Sequence, residues 1–255
     1  MKTLHSYLHK PSPKFVGKAR TKRFFGVEIE CYPARRYSCE AFNESMNLLA
    51  EWERSKGFGE DEFAYCKRDG SLHEGHGIEI VTHPFSFFQM RTKKLFDGLE
   101  NCKLSSYRLQ STGIHVHVGR EGLSKATIAK MVYMFSLPEF DRVITTVAQR
   151  EWNGYCRKPR KGNMRGNLGQ YASRYNAINL RNTHTIEFRM FKGNVNPEAV
   201  YRAVEFVYAV TNYCAKTSAT RINPDTFVSY ILNAKQDKRN YKYPHLRKFV
   251  KKELR

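Results

Sequence analysis

The eight residues His184-Thr185-Ile186-Glu187-Phe188-Arg189-Met190-Phe191 have a period of two: Ile186, Phe188 and Met190 alternate with Thr185, Glu187, Arg189 and Phe191. This is the period of a β-strand with one face in a core, and it puts Glu187 and Arg189 on the same face. A carboxylate and a guanidinium side by side can hold a metal ion and an anionic group next to one another. The solvated face of an antiparallel strand shows the same alternation. Recurrence upstream is what gives the pattern weight. Phe24-Phe25-Gly26-Val27-Glu28-Ile29-Glu30-Cys31 places Glu28 and Glu30 together, and Thr112-Gly113-Ile114-His115-Val116-His117-Val118-Gly119 does the same for His115 and His117. Two carboxylates on one enclosed face need a cation, and two imidazoles can reach one ion or one phosphate. A further strand, Gly77-Ile78-Glu79-Ile80-Val81-Thr82, carries a single acid among β-branched residues, where a lone carboxylate calls for a partner. Convergence of these strands on one sheet face would gather four carboxylates, two histidines and an arginine.

Between these strands the periodicity changes. Residues 38 to 56, 84 to 99, 196 to about 216, 224 to 233 and 244 to 253 read as helices, and 123 to 150 as a helix in two pieces with Pro138 opening the second. Residues 62 to 67 read as a strand leading into the turn Arg68-Asp69-Gly70-Ser71-Leu72. Residues 100 to 111 read as polar loop with a short strand, and 175 to 180 pairs with 185 to 191. The segment 150 to 169 combines Arg150, Arg157, Lys158, Arg160, Lys161 and Arg165 with four glycines and has no apolar period. Such a loop can fold over phosphates, though the G-x-x-x-x-G-K-[ST] spacing is absent and a solvated flexible loop has the same composition.

A length of 255 residues permits one large domain with a core that needs no staples. The expected organisation is a basic N-terminal arm over 1–23, lying on the surface, followed by a single domain over 24–255. Six cysteines without a C-x-x-C pair read as reduced thiols, which excludes a zinc-finger or disulfide scaffold. With no apolar leader and no apolar run of about 18 residues, the expectation is a cytoplasmic protein. The formal net charge of +20 points to polyanionic partners, whether nucleic acid, a nucleoside triphosphate or an acidic peptide. No zinc-finger, RRM, KH or helix-turn-helix pattern gives that charge a reading head.

The ordered set Gly26-Val27-Glu28-Ile29-Glu30, Asp69-Gly70-Ser71-Leu72 with Gly77-Ile78-Glu79-Ile80, Thr112 through Gly119, and Asn179 through Asn196 resembles the amidoligases of the carboxylate-amine ligase superfamily, relatives of glutamine synthetase and glutamate-cysteine ligase. The likeness covers roughly residues 24 to 215. It implies an α+β fold in which a curved, mainly antiparallel sheet has helices packed on one face, like the glutamine synthetase catalytic domain, and binds ATP with two or three Mg²⁺ (or Mn²⁺) ions on its concave face. By position, Glu28, Glu30, Glu79, His115 and Glu187 resemble metal ligands, His117 a phosphate contact, and Arg189 the group that steadies the transferred phosphate or the substrate carboxylate. Glu187, His117 and Arg189 are thus the implied catalytic residues, and Arg157, Arg160 and Arg165 of the basic loop, with His117 and Arg189, the implied ATP contacts. The implied reaction joins a carboxylate to an amine through an acyl phosphate. His73 and His76, close to Glu79, have no counterpart in the likeness.

Two other readings stay open on the sequence. One is a metal-dependent hydrolase built on the His115/His117 pair, with His76, His83 or His184 completing the site; the chain lacks the eight strand-helix repeats of a (β/α)₈ barrel. The other is a basic, non-catalytic nucleic-acid-binding protein, suggested by charge and 15 tyrosines.

Overall fold

The alternating run at Phe24 forms β2 (Phe24–Pro33), the strand around which the first half of the chain is built. A computed structural model describes residues 2–18, 23–34, 38–70, 72, 77–106, 112–169, 172–238 and 240–254. The fold is α+β, with a mostly antiparallel sheet and helices. Contacts divide the chain into two units: Met1–His117 with Lys192–Val200, and Val118–Phe191 with Tyr201–Arg255.

In the first unit, β1 (Leu4–His5), β3 (Ala64–Arg68), β4 (Ile78–Thr82), β2 and β7 (Gly113–Gly119) lie in the order β1-β3-β4-β2-β7. Among the described residues of this unit β1 and β3 pair in parallel; β3–β4 and β4–β2 are antiparallel, as are the short β5 (Phe85–Ser86) and β6 (Leu104–Ser105) against β2. Period two then sorts the side chains. Val27, Ile29, Ile78, Ile80, Cys66, Ile114 and Val116 are buried on the apolar side. Helix α1 (Cys39–Ser55), capped by the Ser38 hydroxyl accepting from the Ala41 N–H, packs on β2 and buries Met46, Leu49 and Trp52. The opposite face carries Glu28, Glu30, Glu79, Lys67, His115 and His117.

Two expectations fail here, each for a local reason. The helix expected over 84 to 99 is only α2 (Phe87–Thr92), because Lys94 and Gly98 take positive φ of 48° and 88° and turn the chain out of the helix. The surface course expected for residues 1 to 23 holds for exposed Tyr7, Leu8 and Phe15 but not for Lys2, which is buried. Lys2 Nζ bonds the Glu53 carboxylate and lies 3.2 Å from Asp61 Oδ1, while Glu53 also accepts from the backbone N–H groups of Phe63 (2.7 Å) and Ala64 (3.0 Å). Glu53 thereby ties α1 to the entry of β3, and Lys2 supplies the charge that lets it be buried. Removing one member of a buried pair strands the other, so Glu53→Gln is expected to cost about 3 kcal/mol. The check is a drop in denaturant midpoint at unchanged slope; a loss below about 1 kcal/mol would mean that the network is hydrated and incidental.

The second unit contains α3 (Lys125–Ser136), a 3-10 turn opened by Pro138, and α4 (Asp141–Ala148), as the two-piece reading expected. Its strands are β8 (Ile178–Asn179) and β9 (Thr185–Lys192), an antiparallel pair; the expected strand from 175 shrinks to two residues. Phe188 of β9 packs on Phe135 of α3, which meets Phe206 of α6 (Pro197–Lys216), and the cluster continues to Phe227 of α7 (Pro224–Asn233) and Phe140. Helix α8 (Pro244–Glu253) packs against α7 and α4. The loop at 150 to 169 is not wholly irregular, since Met164–Leu168 form a short helix, α5, whose Gly166 N–H is capped by Asn163. All six cysteines are free, five of them buried. Among the described residues no helix is long and apolar enough to cross a membrane.

Candidate metal centre

Antiparallel register places Glu30 of β2 directly opposite Glu79 of β4, and Glu79 directly opposite Lys67 of β3. Glu28, two residues along β2 from Glu30, faces Val81. Just ahead of β4, a Cβ at Gly77 would stand 2.4 Å from the Leu72 Cβ, so glycine is needed where Leu72 packs against the start of the strand. On β7, alternation brings His115 and His117 to the same face. His115 lies between the two acids of β2, its Nδ1 3.3 Å from Glu28 and its Nε2 3.7 Å from Glu30, and His117 Nε2 lies 3.3 Å from Glu28. Glu30, Glu79 and His115 are all buried. Five of the seven residues expected to share a face therefore do so within the first unit.

Like charges directly opposed on neighbouring strands are destabilising, more so when buried. The electrostatics record this. Burial and the charge of Glu28 push the Glu79 carboxyl up to about 8, against the pull of Lys67 at 2.7 Å. Burial would raise Glu28 also, but the charge of His117 and hydrogen bonds from both histidines outweigh it and hold Glu28 well below the usual carboxylate range. Lys67 stays protonated, because the attraction of Glu79 and Glu28 exceeds the cost of its burial. Three carboxylates thus face one ammonium and two imidazoles whose charge depends on pH.

The donor set fits a hard divalent cation. One ligand atom each from Glu30, Glu79 and His115 lies within 4.8 Å of the others, and donors on opposite sides of a Mg²⁺ ion stand at most about 4.2 Å apart. Carboxylate oxygens suit hard ions such as Mg²⁺ and Mn²⁺. Of the histidines that could complete a hydrolase site with His115 and His117, His83 has its ring nitrogens at the Asp61 carbonyl (3.1 Å) and the Lys14 N–H (3.3 Å) and belongs to no ligand cluster among the described residues. His73 and His76 lie outside the described residues, and His184 is exposed in the second unit.

In that second unit, Glu187 and Arg189 do share a face of β9. The Arg189 Nη1 donates to Glu187 Oε1, and Asn179, directly across on β8, donates to Glu187 Oε2 at 2.7 Å. The Arg189 Nε is buried and makes no hydrogen bond among the described residues. A guanidinium with one edge fixed and another N–H unspent suits an incoming oxyanion. Arg157, Arg160 and Arg165 line a cleft of their own in this unit. Sequence reasoning missed Lys67 and Asn179. Both lie opposite a named acid, and only cross-strand register shows it. Comparisons with protein-family models and with curated protein sequences find no match to this chain.

Proposed function

We propose that the chain is an ATP-dependent carboxylate-amine ligase of amidoligase type, with a catalytic fold like that of glutamine synthetase. The observation that carries this reading is the buried Glu30–Glu79 pair closed by His115, two carboxyl groups and an imidazole close enough for one divalent cation to bridge. Glu30, Glu79 and His115 would hold Mg²⁺ or Mn²⁺ with Glu28 beside them, and the ion's contribution when bound is to neutralise phosphate oxygens. His117 meets a phosphate oxygen of ATP, and Glu187 orients Arg189. Arg189 holds the transferred phosphoryl group or the substrate carboxylate by its fork of N–H donors. In the reaction a carboxylate oxygen attacks the γ-phosphorus and ADP departs with the electron pair of the broken P–O bond. An amine nitrogen then attacks the acyl carbon, phosphate leaves, and the nitrogen gives up a proton, leaving an amide.

Two measurements test the proposal. Titration calorimetry with Mn²⁺ is expected to show binding that Glu30→Gln weakens by about 10- to 100-fold or more, a loss at least as large as that of groups supporting a metal ligand. A screen of ADP release against pairs drawn from amino acids, polyamines and acidic peptides is expected to show turnover only when a carboxylate and an amine are both present. Unchanged metal affinity in Glu30→Gln removes the metal centre; ATP-independent hydrolysis by the metal-loaded protein replaces the ligase with a hydrolase.

A further inference from the structure

The second unit contains a cleft of about 1020 Å³ whose chemistry is distinct from that of the acidic face. Its lining includes the guanidinium-bearing Arg157, Arg160 and Arg165 and, among the described residues, no carboxylate. The walls are fixed rather than loose. Asp141 accepts from the Trp152 indole N–H (3.0 Å) and from Lys158 Nζ (2.7 Å), buried Asn167 donates to the Arg160 carbonyl (2.8 Å), and Arg157 exchanges backbone bonds with Tyr175 and Ala177 (2.7 and 2.8 Å). Amides of Asn153, Asn163 and Asn176 also line the cleft. Between the lining residues Asn153 and Arg157 in the chain comes Tyr155, 59% exposed, its ring 6.4 Å from that of Tyr175. Arg157 and Arg174 stand 5.7 and 4.8 Å from the Tyr175 ring centre.

We propose that this cleft binds single-stranded nucleic acid, with phosphates on Arg157, Arg160 and Arg165 and a base stacked on Tyr155. An acidic peptide offers carboxylates, which only accept hydrogen bonds, and it would be matched by cations alone. Here guanidiniums alternate with amides that both donate and accept, and with a π-face open to solvent. That is the combination that phosphate, base edge and base face each require. The cleft's volume stands at the upper end of what single small ligands occupy, which fits several linked nucleotides. The inference does not rest on the metal centre; it gives Arg157, Arg160 and Arg165 a polynucleotide in place of the ATP that the resemblance implies for them, and gives the +20 charge a defined place to act.

The test is fluorescence anisotropy of the full chain with a labelled thymidine oligonucleotide of roughly 12 nucleotides, a length within the span of single-strand sites, measured across a salt series. Arg160→Ala with Arg165→Ala is expected to flatten the slope of log affinity against log salt by about 1.4, the share of two single-strand phosphate contacts. Tyr155→Ala is expected to weaken binding about tenfold while leaving the slope alone. Arg160, Arg165 and Tyr155 are exposed, so these truncations leave the fold intact. The control is Lys248→Ala with Lys251→Ala on α8, which removes the same charge elsewhere and is expected to change neither quantity. An equal loss in that control overturns the proposal in favour of general attraction to a basic surface. Displacement of the oligonucleotide by an equally charged polyglutamate reassigns the cleft to acidic peptides, and displacement by Mg·ATP that is lost in the arginine variants reassigns it to the nucleotide; either outcome overturns the proposal.

Discussion

Raising the pH of the metal-free protein from about 4.5 to about 8 is expected to cost it stability, and Glu79→Gln is expected to remove most of that loss. In the unfolded chain Glu79 ionises around its ordinary value of 4.5, whereas in the folded protein burial and Glu28 delay ionisation to about 8. Between those values the folded state binds more protons than the unfolded one, so stability falls as pH rises and levels off above about 8. At about 1.4 kcal/mol for each tenfold change in proton affinity, the difference is on the order of 5 kcal/mol. Other groups titrate in the same window. Glu28, held low, contributes stability that is present above 4.5 and is lost only at more acid pH, so the quantity to measure is the difference between wild type and variant. Chemical denaturation of both proteins at pH 5 and pH 8.5 supplies it. A metal at the site reverses the penalty: Mn²⁺ at one hundred times its dissociation constant is expected to stabilise wild type by about 2.7 kcal/mol at pH 8.5, and Glu79→Gln hardly at all. A variant that gains nothing at high pH, or that keeps the metal effect, would show that Lys67 alone balances the site. The expected result is a substitution that stabilises the empty protein and abolishes its ligand, as happens where function holds a fold below its stability optimum.

Much of this site was legible because strands have so short a period. Two residues of spacing decided that Glu28 and Glu30, His115 and His117, and Glu187 and Arg189 share faces, and β2, β7 and β9 carry them so. What two-residue spacing does not contain is which strand lies beside which. Lys67, in the run Ala64-Tyr65-Cys66-Lys67-Arg68, reads as the solvated end of a strand until register sets it against Glu79. Asn179 reads as a turn residue until it is found opposite Glu187. Lys2 and Glu53 are 51 residues apart and their pairing has no local signature. The misread helix at 84 to 99 has a different cause. Its apolar residues do fall near one helical face, but Leu95, Phe96 and Leu99 are buried through turns that periodicity does not distinguish from helix. The long helix beginning at Pro197 was the easier case, with Asn196 and Pro197 at its start and twenty residues of consistent period.

Arg189→Lys is expected to lower ligase turnover on the order of 10²- to 10³-fold, the loss typical of a single donor removed from a transition state, while leaving nucleotide affinity near that of wild type. The substitution keeps the positive charge, so any large effect must come from geometry. In β9 the guanidinium spends one N–H on Glu187, whose other oxygen is held by Asn179, and this fixes the plane of the fork. The Nε–H then points from a buried position with no acceptor among the described residues. Lysine offers a compact ammonium that can pair with Glu187 or reach an oxyanion, but it lacks a rigid plane that does both. In the proposed reaction negative charge passes from the attacking carboxylate to the departing ADP while the phosphoryl group moves between them, and a fork aligned beforehand meets it without reorganising. The two quantities are to be measured on one preparation, ADP release under saturating substrates and ATP affinity by calorimetry. A parallel fall in affinity would place Arg189 in ground-state binding rather than in the transition state. Near-normal turnover would mean that the Glu187–Arg189 pair only braces β9, and would leave the ligase chemistry to the acidic face alone.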